Sequence, residues 1–224
     1  MNGRILVFDV DGVLVDVTES YREAIGQTVE RFAGRSVSPE RIQNYKNRGG
    51  WNNDWELSHD LIKQFGVEVP LGDVIDYFNE IFLGPGGLLS RERWVARDGL
   101  LGRLAARYQL AIFTGRLMVE LQVTLDRFAR DVRFDPMITT DSGLALKPSP
   151  EGLLEIARRN PRSALWYVGD SVDDARSARQ ANVPFIGIAA PLNPLRSELV
   201  ELFHSENAIA VLDDINQLEG VLPL

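Results

Sequence analysis

Short apolar runs that alternate with helical segments constrain the fold of this chain more than any other feature. The runs have the length of buried strands and lie at residues 5–8, 110–113, 137–139, 165–168, 185–188 and 208–212. Between them, apolar residues recur at helical spacing, as at Leu117, Leu121 and Leu125. Because no hairpin turn signals separate the runs, we predict an α/β fold built on a parallel sheet.

One segment interrupts this alternation. Only helical patterns occur from about residue 16 to residue 94, including a helix start at Ser38, which is followed by a proline. The glycine-rich sequence at 84–87 then breaks the helical pattern. We therefore predict an α/β domain made of residues 1–15 and 95–224, with an inserted all-helical domain of about four helices at 16–94.

Composition narrows the classes of protein that are compatible with this pattern. The chain has 224 residues, a formal net charge of −8 and no cysteine, so disulfides and thiolate chemistry are excluded. The acidic balance argues against a nucleic-acid partner, and the apolar runs are too short to cross a membrane. The N-terminus lacks the pattern of a secretory signal. We expect a cytoplasmic protein that binds neither membrane nor nucleic acid, whereas its oligomeric state stays undetermined.

Polar residues follow the predicted strands, which is where chemistry collects in open parallel sheets. Asp9 and Asp11 come directly after the first strand, and Gly12 allows a sharp turn there. Two carboxylates this close repel each other unless a divalent cation or a proton relieves the repulsion. The alternative interpretation is an ordinary acidic turn.

A hydroxyl and free backbone amides follow the second strand, at Thr114 and Gly115. Such a turn suits an anionic oxygen, although Thr114 could instead cap the next helix. Arg116 follows and could contact either a substrate or a carboxylate. We leave these alternatives open.

Two further constellations complete the pattern. Lys147 precedes a Pro-Ser-Pro sequence that stiffens its loop, so it could supply a fixed positive charge at the edge of a site, or it could be a solvated lysine. Asp170, Asp173 and Asp174 crowd the end of the strand at 165–168 and the first turn of a helix. Acids favour helix N-termini in general, but Asp170 lies at the strand tip, where a metal ligand would be placed.

Taken in order, the four motifs resemble the signature of the haloacid dehalogenase (HAD) superfamily. The resemblance is to subfamily IA, the phosphoglycolate phosphatase-like branch with a helical cap inserted after the first strand, and it spans essentially the whole chain. It implies a Rossmann-like sheet with strand order 5-4-1-2-3. It also implies a Mg²⁺-dependent phosphatase that hydrolyses a small phosphorylated metabolite.

The resemblance also implies roles for the carboxylates. Asp9 would be the nucleophile that becomes an aspartyl phosphate, and it would ligate the metal. Asp11 would be the general acid and then the base, with its backbone carbonyl on the metal. Asp170 would ligate the metal through its carboxylate, and Asp174 would lie in or next to the metal shell. Asp173 often corresponds to asparagine in relatives, so its role stays open.

The remaining roles concern the phosphoryl group and the rest of the substrate. By the same resemblance, Thr114, Gly115 and Lys147 would bind the phosphoryl oxygens, and the cap would select the substrate. The cap segment at 45–55 is rich in cationic, aromatic and amide side chains, and we expect Arg48 and Trp51 to determine specificity. Lys46 is a further candidate for meeting a substrate anion. The alternative is that this segment is only a turn between cap helices.

Several rival functions use related residues. A sugar-phosphate mutase shares the same core motifs and cannot be separated from a phosphatase by them. A dehalogenase would need neither the metal nor an acid at position 11. A receiver module uses similar residues on a parallel sheet but is shorter and lacks an inserted domain.

Overall fold

In a computed structural model of the chain, residues 3–223 are described, and they form two compact units. Of the described residues, the first unit comprises 3–15 and 94–223, and the second comprises 16–93. The strands are β1 (Arg4–Phe8), β2 (Val15–Asp16), β3 (Arg93–Trp94), β4 (Gln109–Phe113), β5 (Met137–Ile138), β6 (Ala164–Gly169), β7 (Phe185–Ile188) and β8 (Ala210–Leu212).

The α-helices are α1 (Tyr21–Ala33), α2 (Pro39–Arg48), α3 (Asp54–Gln64), α4 (Leu71–Leu83), α5 (Leu100–Ala105), α6 (Met118–Phe128), α7 (Glu151–Arg159), α8 (Val172–Ala181) and α9 (Arg196–Ser205). Short 3₁₀ helices occur at Leu88–Arg91, Thr140–Ser142 and Ile215–Gly220. Within the described part of the chain, no helix combines the length and apolarity that crossing a membrane requires.

The first unit is built on a six-stranded sheet in the order β5-β4-β1-β6-β7-β8. Every neighbouring pair of strands is parallel. Each interior strand is apolar almost throughout because parallel strands are covered on both faces. The predicted α/β class with a parallel sheet is therefore confirmed.

The strand order differs from the expected five-strand order. Counted along the core strands in chain order, and read from the β8 edge, it is 6-5-4-1-2-3. The difference arises because the C-terminal apolar run pairs with β7 in parallel, Ile188 opposite Leu212, and so adds a sixth strand at the edge.

The second unit contains α1–α4 around its own apolar core. Ile25, Leu57, Leu61 and Phe78 are among its buried side chains. The expected helix start at Ser38 is confirmed, since the Ser38 hydroxyl accepts a hydrogen bond from the Arg41 amide at 3.3 Å. The strands β2 and β3, where the chain passes between the units, pair with each other.

Candidate active site

Three neighbouring strands of the sheet bring the first group of polar residues together. β1 pairs with β4 on one side and β6 on the other, with Phe8 opposite both Ile112 and Val168. Asp9, Thr114 and Asp170 follow the ends of these strands. The Asp9 amide donates to the Val168 carbonyl at 2.8 Å, which extends the ladder to the nucleophile candidate. The carboxyl edge of the sheet is therefore where the motifs meet, as parallel topology requires.

A buried cation joins two carboxylates at this edge. The ammonium nitrogen of Lys147 lies 2.9 Å from Asp9 Oδ1 and 2.6 Å from Asp174 Oδ1. All three residues are buried. Asp9, Lys147 and Asp174, which are distant in sequence, thus form one charge cluster.

The expectation that Lys147 lies at the edge of the site, or in solvent, is wrong. Only 5% of the surface of Lys147 is exposed to solvent. The ammonium group lies 4.9 Å from the centre of the Phe113 ring and 5.5 Å from that of Tyr167. Burial by itself lowers the pKa of this lysine, but the charges of Asp174 and Asp9 outweigh it and raise the pKa above its ordinary value. Lys147 therefore stays protonated at neutral pH.

The Asp174 carboxylate is held by donors from the protein. Oδ1 accepts from the Tyr167 hydroxyl at 2.5 Å, and Oδ2 accepts from the Ser171 amide at 3.0 Å and from the Ser171 hydroxyl at 2.6 Å. Burial raises the pKa of Asp174, but Lys147 and these hydrogen bonds outweigh it, so the pKa lies below its usual value. Asp174 is therefore ionised, and its contacts with Lys147, Tyr167 and Ser171 fix the orientation of its carboxylate.

Asp9 is in the opposite electrostatic situation. Burial, together with the charges of Asp174 and Asp11, raises its pKa to about 7 despite the opposing effect of Lys147. Its Oδ1 atom lies 2.9 Å from the Lys147 ammonium nitrogen. A buried carboxylate with acidic neighbours favours a further positive charge beside it.

The carboxylates fit a divalent cation. Oxygens of Asp9, Asp170 and Asp174 lie within 4.8 Å of one another, and carboxylate oxygens are the ligands that Mg²⁺ prefers. An additional cation would be stabilising here because Asp9 is buried beside other carboxylates, which raise its pKa. Since Asp174 is already engaged by Lys147, Tyr167 and Ser171, Asp9 and Asp170 are the better direct ligands.

The Asp11 side chain makes a different contact. Its carboxylate pairs with Arg116, whose Nη2 lies 2.6 Å from Oδ1 and whose Nε lies 3.2 Å from Oδ1 and 3.1 Å from Oδ2. Arg116 is 1% exposed. Of the two alternatives for Arg116, the structure shows the contact with a carboxylate.

Thr114 does not cap the helix that follows it. Helix α6 begins at Met118, and the amide of the preceding residue, Leu117, donates to Glu120 at 2.9 Å. Thr114 is buried, and its hydroxyl oxygen accepts from the Arg116 amide at 3.3 Å. Gly115 is exposed. A role for Thr114 and Gly115 in binding phosphoryl oxygens stays a prediction.

Asp173 is buried beside the cluster but is not part of the carboxylate group just described. Its carboxylate lies 4.0 Å from the Arg176 guanidinium, three residues further along the same helix. Asp173 therefore has no assigned role in the site.

Within the helical unit, the cap segment at 45–55 is held by contacts between its own residues. Lys46 donates to the Trp51 carbonyl at 3.0 Å and to Asp54 at 2.5 Å, so its charge is already engaged. Tyr45 packs edge-on against Trp51, and the Arg48 guanidinium lies 5.8 Å from the Tyr45 ring. Arg48 is exposed. The specificity roles of Arg48 and Trp51 stay predictions.

Sequence reasoning missed Tyr167 and Ser171. Tyr167 lies in an otherwise apolar strand, and a buried tyrosine hydroxyl needs a hydrogen-bond partner. That requirement signals a polar neighbour but does not say which one. Ser171 received no role from the sequence, although serine before an acidic first turn is typical of an N-cap.

Fold and site together define an α/β enzyme with a carboxylate nucleophile candidate and a buried lysine at the carboxyl edge of its sheet. Residues 6–188 match the family described as haloacid dehalogenase-like hydrolase. The chain therefore belongs to this family, and the resemblance found in its motifs is confirmed.

The chain is also similar to individual proteins with different names. A protein of Phytophthora nicotianae named imidazoleglycerol-phosphate dehydratase is 32% identical over 87% of the chain, which spans only 45% of that relative. A phosphoglycolate phosphatase of Psychrobacter arcticus is 24% identical, over 86% of each protein. The structure of a protein from Haemophilus somnus, predicted to be a phosphoglycolate phosphatase, has a TM-score of 0.76 and 20% identity, covering 99% of this chain and 98% of that one. The last likeness concerns the fold alone.

Proposed function

We propose that the protein is a Mg²⁺-dependent phosphatase that hydrolyses a small phosphorylated metabolite through an aspartyl phosphate on Asp9. The observation that carries this proposal is the buried cluster in which Lys147 contacts both Asp9 and Asp174. A phosphate monoester dianion repels a carboxylate nucleophile, and a fixed cation beside that nucleophile reduces the repulsion. The names of curated relatives, several of them phosphoglycolate phosphatases, support the same reaction class.

In the first step, an Asp9 oxygen attacks phosphorus while the bond from phosphorus to the ester oxygen breaks. The Asp11 carboxyl gives its proton to the departing oxygen, so that an alcohol leaves. Lys147 stays protonated and stabilises the negative charge of the phosphoryl oxygens, together with the hydroxyl of Thr114 and the amide of Gly115.

In the second step, water replaces the alcohol. Asp11, now a carboxylate, accepts a proton from the water as its oxygen bonds to phosphorus and the bond from phosphorus to Asp9 breaks. Inorganic phosphate leaves and Asp9 returns to its initial state. One carboxyl group serves as acid and then as base, so the proton balance closes over the cycle.

Asp9 and Asp170, with the backbone carbonyl of Asp11, would hold Mg²⁺. When bound, the ion supplies positive charge that neutralises the phosphoryl group. Asp174 would orient Lys147 and lie next to the metal shell. The helical unit would act as the cap, with Arg48 and Trp51 contacting the part of the substrate beyond the phosphoryl group.

The proposal is tested by phosphate release with Mg²⁺ over a panel of phosphate monoesters. The panel includes phosphoglycolate and imidazoleglycerol phosphate, because relatives carry these compounds in their names. We expect turnover of at least one ester, loss of turnover with a chelator, and loss in Asp9→Asn, which keeps the size of the side chain but removes its charge. Undiminished activity in Asp9→Asn would refute the mechanism.

The same assay separates hydrolysis from the rival mutase reaction. A phosphatase releases inorganic phosphate without any added bisphosphate, whereas a mutase returns the phosphoryl group to a bound sugar. Isomerised sugar phosphate without net phosphate release would establish the mutase instead.

A further inference from the structure

We propose that Arg116 is a positioning residue that holds Asp11 in the orientation needed for proton transfer. This inference rests on the proposed phosphatase function and assigns a role that the four motifs leave open. Its basis is the paired contact between the Arg116 guanidinium and the Asp11 carboxylate, which brings together residues 105 positions apart.

Arg116 is itself fixed from several directions. Its Nη1 donates to the Thr124 hydroxyl at 2.7 Å, and its amide donates to Thr114 at 3.3 Å. Its carbonyl accepts from the Thr140 amide at 2.9 Å. The side chain is buried, so its rotamer is set by packing as well as by hydrogen bonds. A guanidinium held in this way transmits a fixed geometry to whatever carboxylate it binds.

The two oxygens of Asp11 accept different numbers of hydrogen bonds from Arg116. Oδ1 accepts from both Nη2, at 2.6 Å, and Nε, at 3.2 Å, whereas Oδ2 accepts from Nε, at 3.1 Å. The Asp11 side chain is 29% exposed, unlike its partner. Oδ1 is therefore the anchored oxygen, and we assign to Oδ2 the transfer of the proton to the leaving oxygen and from the attacking water.

This role predicts a dependence on the leaving group. An alkyl phosphate releases a strongly basic oxygen that needs a proton as it departs, whereas p-nitrophenolate leaves readily without one. kcat/KM reports the steps up to departure of the alcohol, so it isolates the acid step. Misplacing Asp11 should therefore affect kcat/KM for alkyl esters far more than for p-nitrophenyl phosphate.

The test compares Arg116→Lys with the wild-type enzyme. Lysine keeps the charge but cannot form the forked contact. The alkyl probe is phosphoglycolate or, if the wild-type enzyme hydrolyses another alkyl ester of the panel faster, that ester. We expect kcat/KM for the alkyl ester to fall on the order of 100-fold and that for p-nitrophenyl phosphate to change little. Because the water step also needs Asp11, a burst of p-nitrophenol equal to the enzyme concentration should precede slow turnover.

Arg103→Lys is the matched control. Arg103 binds Glu219 through the same three contacts, at 2.8, 3.1 and 3.2 Å, but on an exposed surface. This variant should match the wild-type enzyme with both substrates. If Arg116→Lys does not fold, Thr124→Val is the second test. It removes only the hydroxyl that accepts the hydrogen bond from Arg116 Nη1. The ratio of kcat/KM between the two esters should shift in the same direction by a smaller factor.

An equal fall of kcat/KM for both esters, without a burst, would overturn the proposal and place Arg116 in substrate binding or in structure. Unchanged kinetics in the folded variants would overturn it as well. A wild-type enzyme that hydrolyses no ester of the panel, including p-nitrophenyl phosphate, would instead refute the proposed function, so the two failures are distinguishable.

Discussion

The ammonium nitrogen of Lys147 lies 2.6 Å from the carboxylate of Asp174, and neither side chain is exposed to solvent by more than 2%. Breaking a buried ion pair on one side is costly because the remaining charge stays desolvated. Here the remaining charges would be two carboxylates, since Lys147 also contacts Asp9. The ion pairs of the candidate active site therefore also affect the free energy of unfolding.

Lys147→Met should therefore destabilise the fold as well as abolish activity. We expect the free energy of unfolding of the metal-free protein at pH 8 to fall by about 3–5 kcal/mol, measured by urea denaturation. Lys63→Met, at an exposed position, is the control and should change stability by no more than about 0.5 kcal/mol. Equal stability of the two variants would show that the buried pair contributes nothing.

Tyr167→Phe should remove one hydrogen bond to Asp174 while keeping the aromatic ring in place. The lost hydroxyl donates to a charged acceptor at 2.5 Å, so we expect a loss of about 1.5–3 kcal/mol in unfolding free energy. Tyr108→Phe is matched to it, because the Tyr108 hydroxyl donates to the neutral carbonyl of Pro223 at 2.7 Å. That control should cost about 0.5–1.5 kcal/mol. A larger loss in the control would contradict the charge-assisted role of Tyr167.

Binding of Mg²⁺ should strengthen as pH rises through about 7. The pKa of Asp9 is raised to about 7, so the carboxylate that we propose as a ligand is largely protonated at pH 6 and largely ionised at pH 8. Metal binding must then displace a proton at the lower pH, and the apparent Kd should be about tenfold weaker there. Isothermal titration calorimetry in two buffers measures both the Kd and the proton release. In Asp9→Asn this pH dependence should vanish, and a wild-type Kd that is equal at the two pH values would contradict the assignment.

Gly12→Ala should weaken Mg²⁺ binding, whereas the same substitution at a glycine away from the carboxylates should not. Gly12 has a φ of 68°, and a β-carbon there would overlap the Asp170 carboxylate. Gly34 has a φ of 63° with open space around it, so Gly34→Ala controls for backbone strain alone. Each variant should lose about 1–2 kcal/mol from that strain, but only Gly12→Ala should bind Mg²⁺ more weakly. Unchanged Mg²⁺ affinity in Gly12→Ala would show that Asp170 is not a ligand.

Arg48→Ala should change substrate selection rather than chemistry. We expect KM for the true substrate to rise by an equivalent of about 1.5–3 kcal/mol if Arg48 pairs with an anion of that substrate, with little effect on p-nitrophenyl phosphate. Trp51→Ala should show the same selectivity. Arg41→Ala is the control, because Arg41 lies on the same helix and packs on the Phe65 ring at 4.7 Å. An equal fall with both substrates would indicate a structural role for this segment.

Local patterns in the sequence were sufficient for the elements that bear the site. The apolar runs that become β1, β4, β6 and β7 could be recognised because buried parallel strands are apolar along their length. The cap of α2 at Ser38 could be recognised because its hydrogen bond spans only three residues. The positions of Asp9 and Asp170 at strand ends followed from the same reasoning, since chain order alone places them there.

Tertiary structure decided how these residues are used. The pairing of Arg116 with Asp11, the burial of Lys147 against Asp9 and the hydrogen bond from Tyr167 to Asp174 join different segments of the chain. From the sequence, Lys147 could lie either at the edge of the site or in solvent, because a lone lysine in a loop is usually solvated. The folded protein instead buries it, because Asp9 and Asp174 offset the cost of removing its charge from water, and that compensation exists only once the sheet has brought the three residues together.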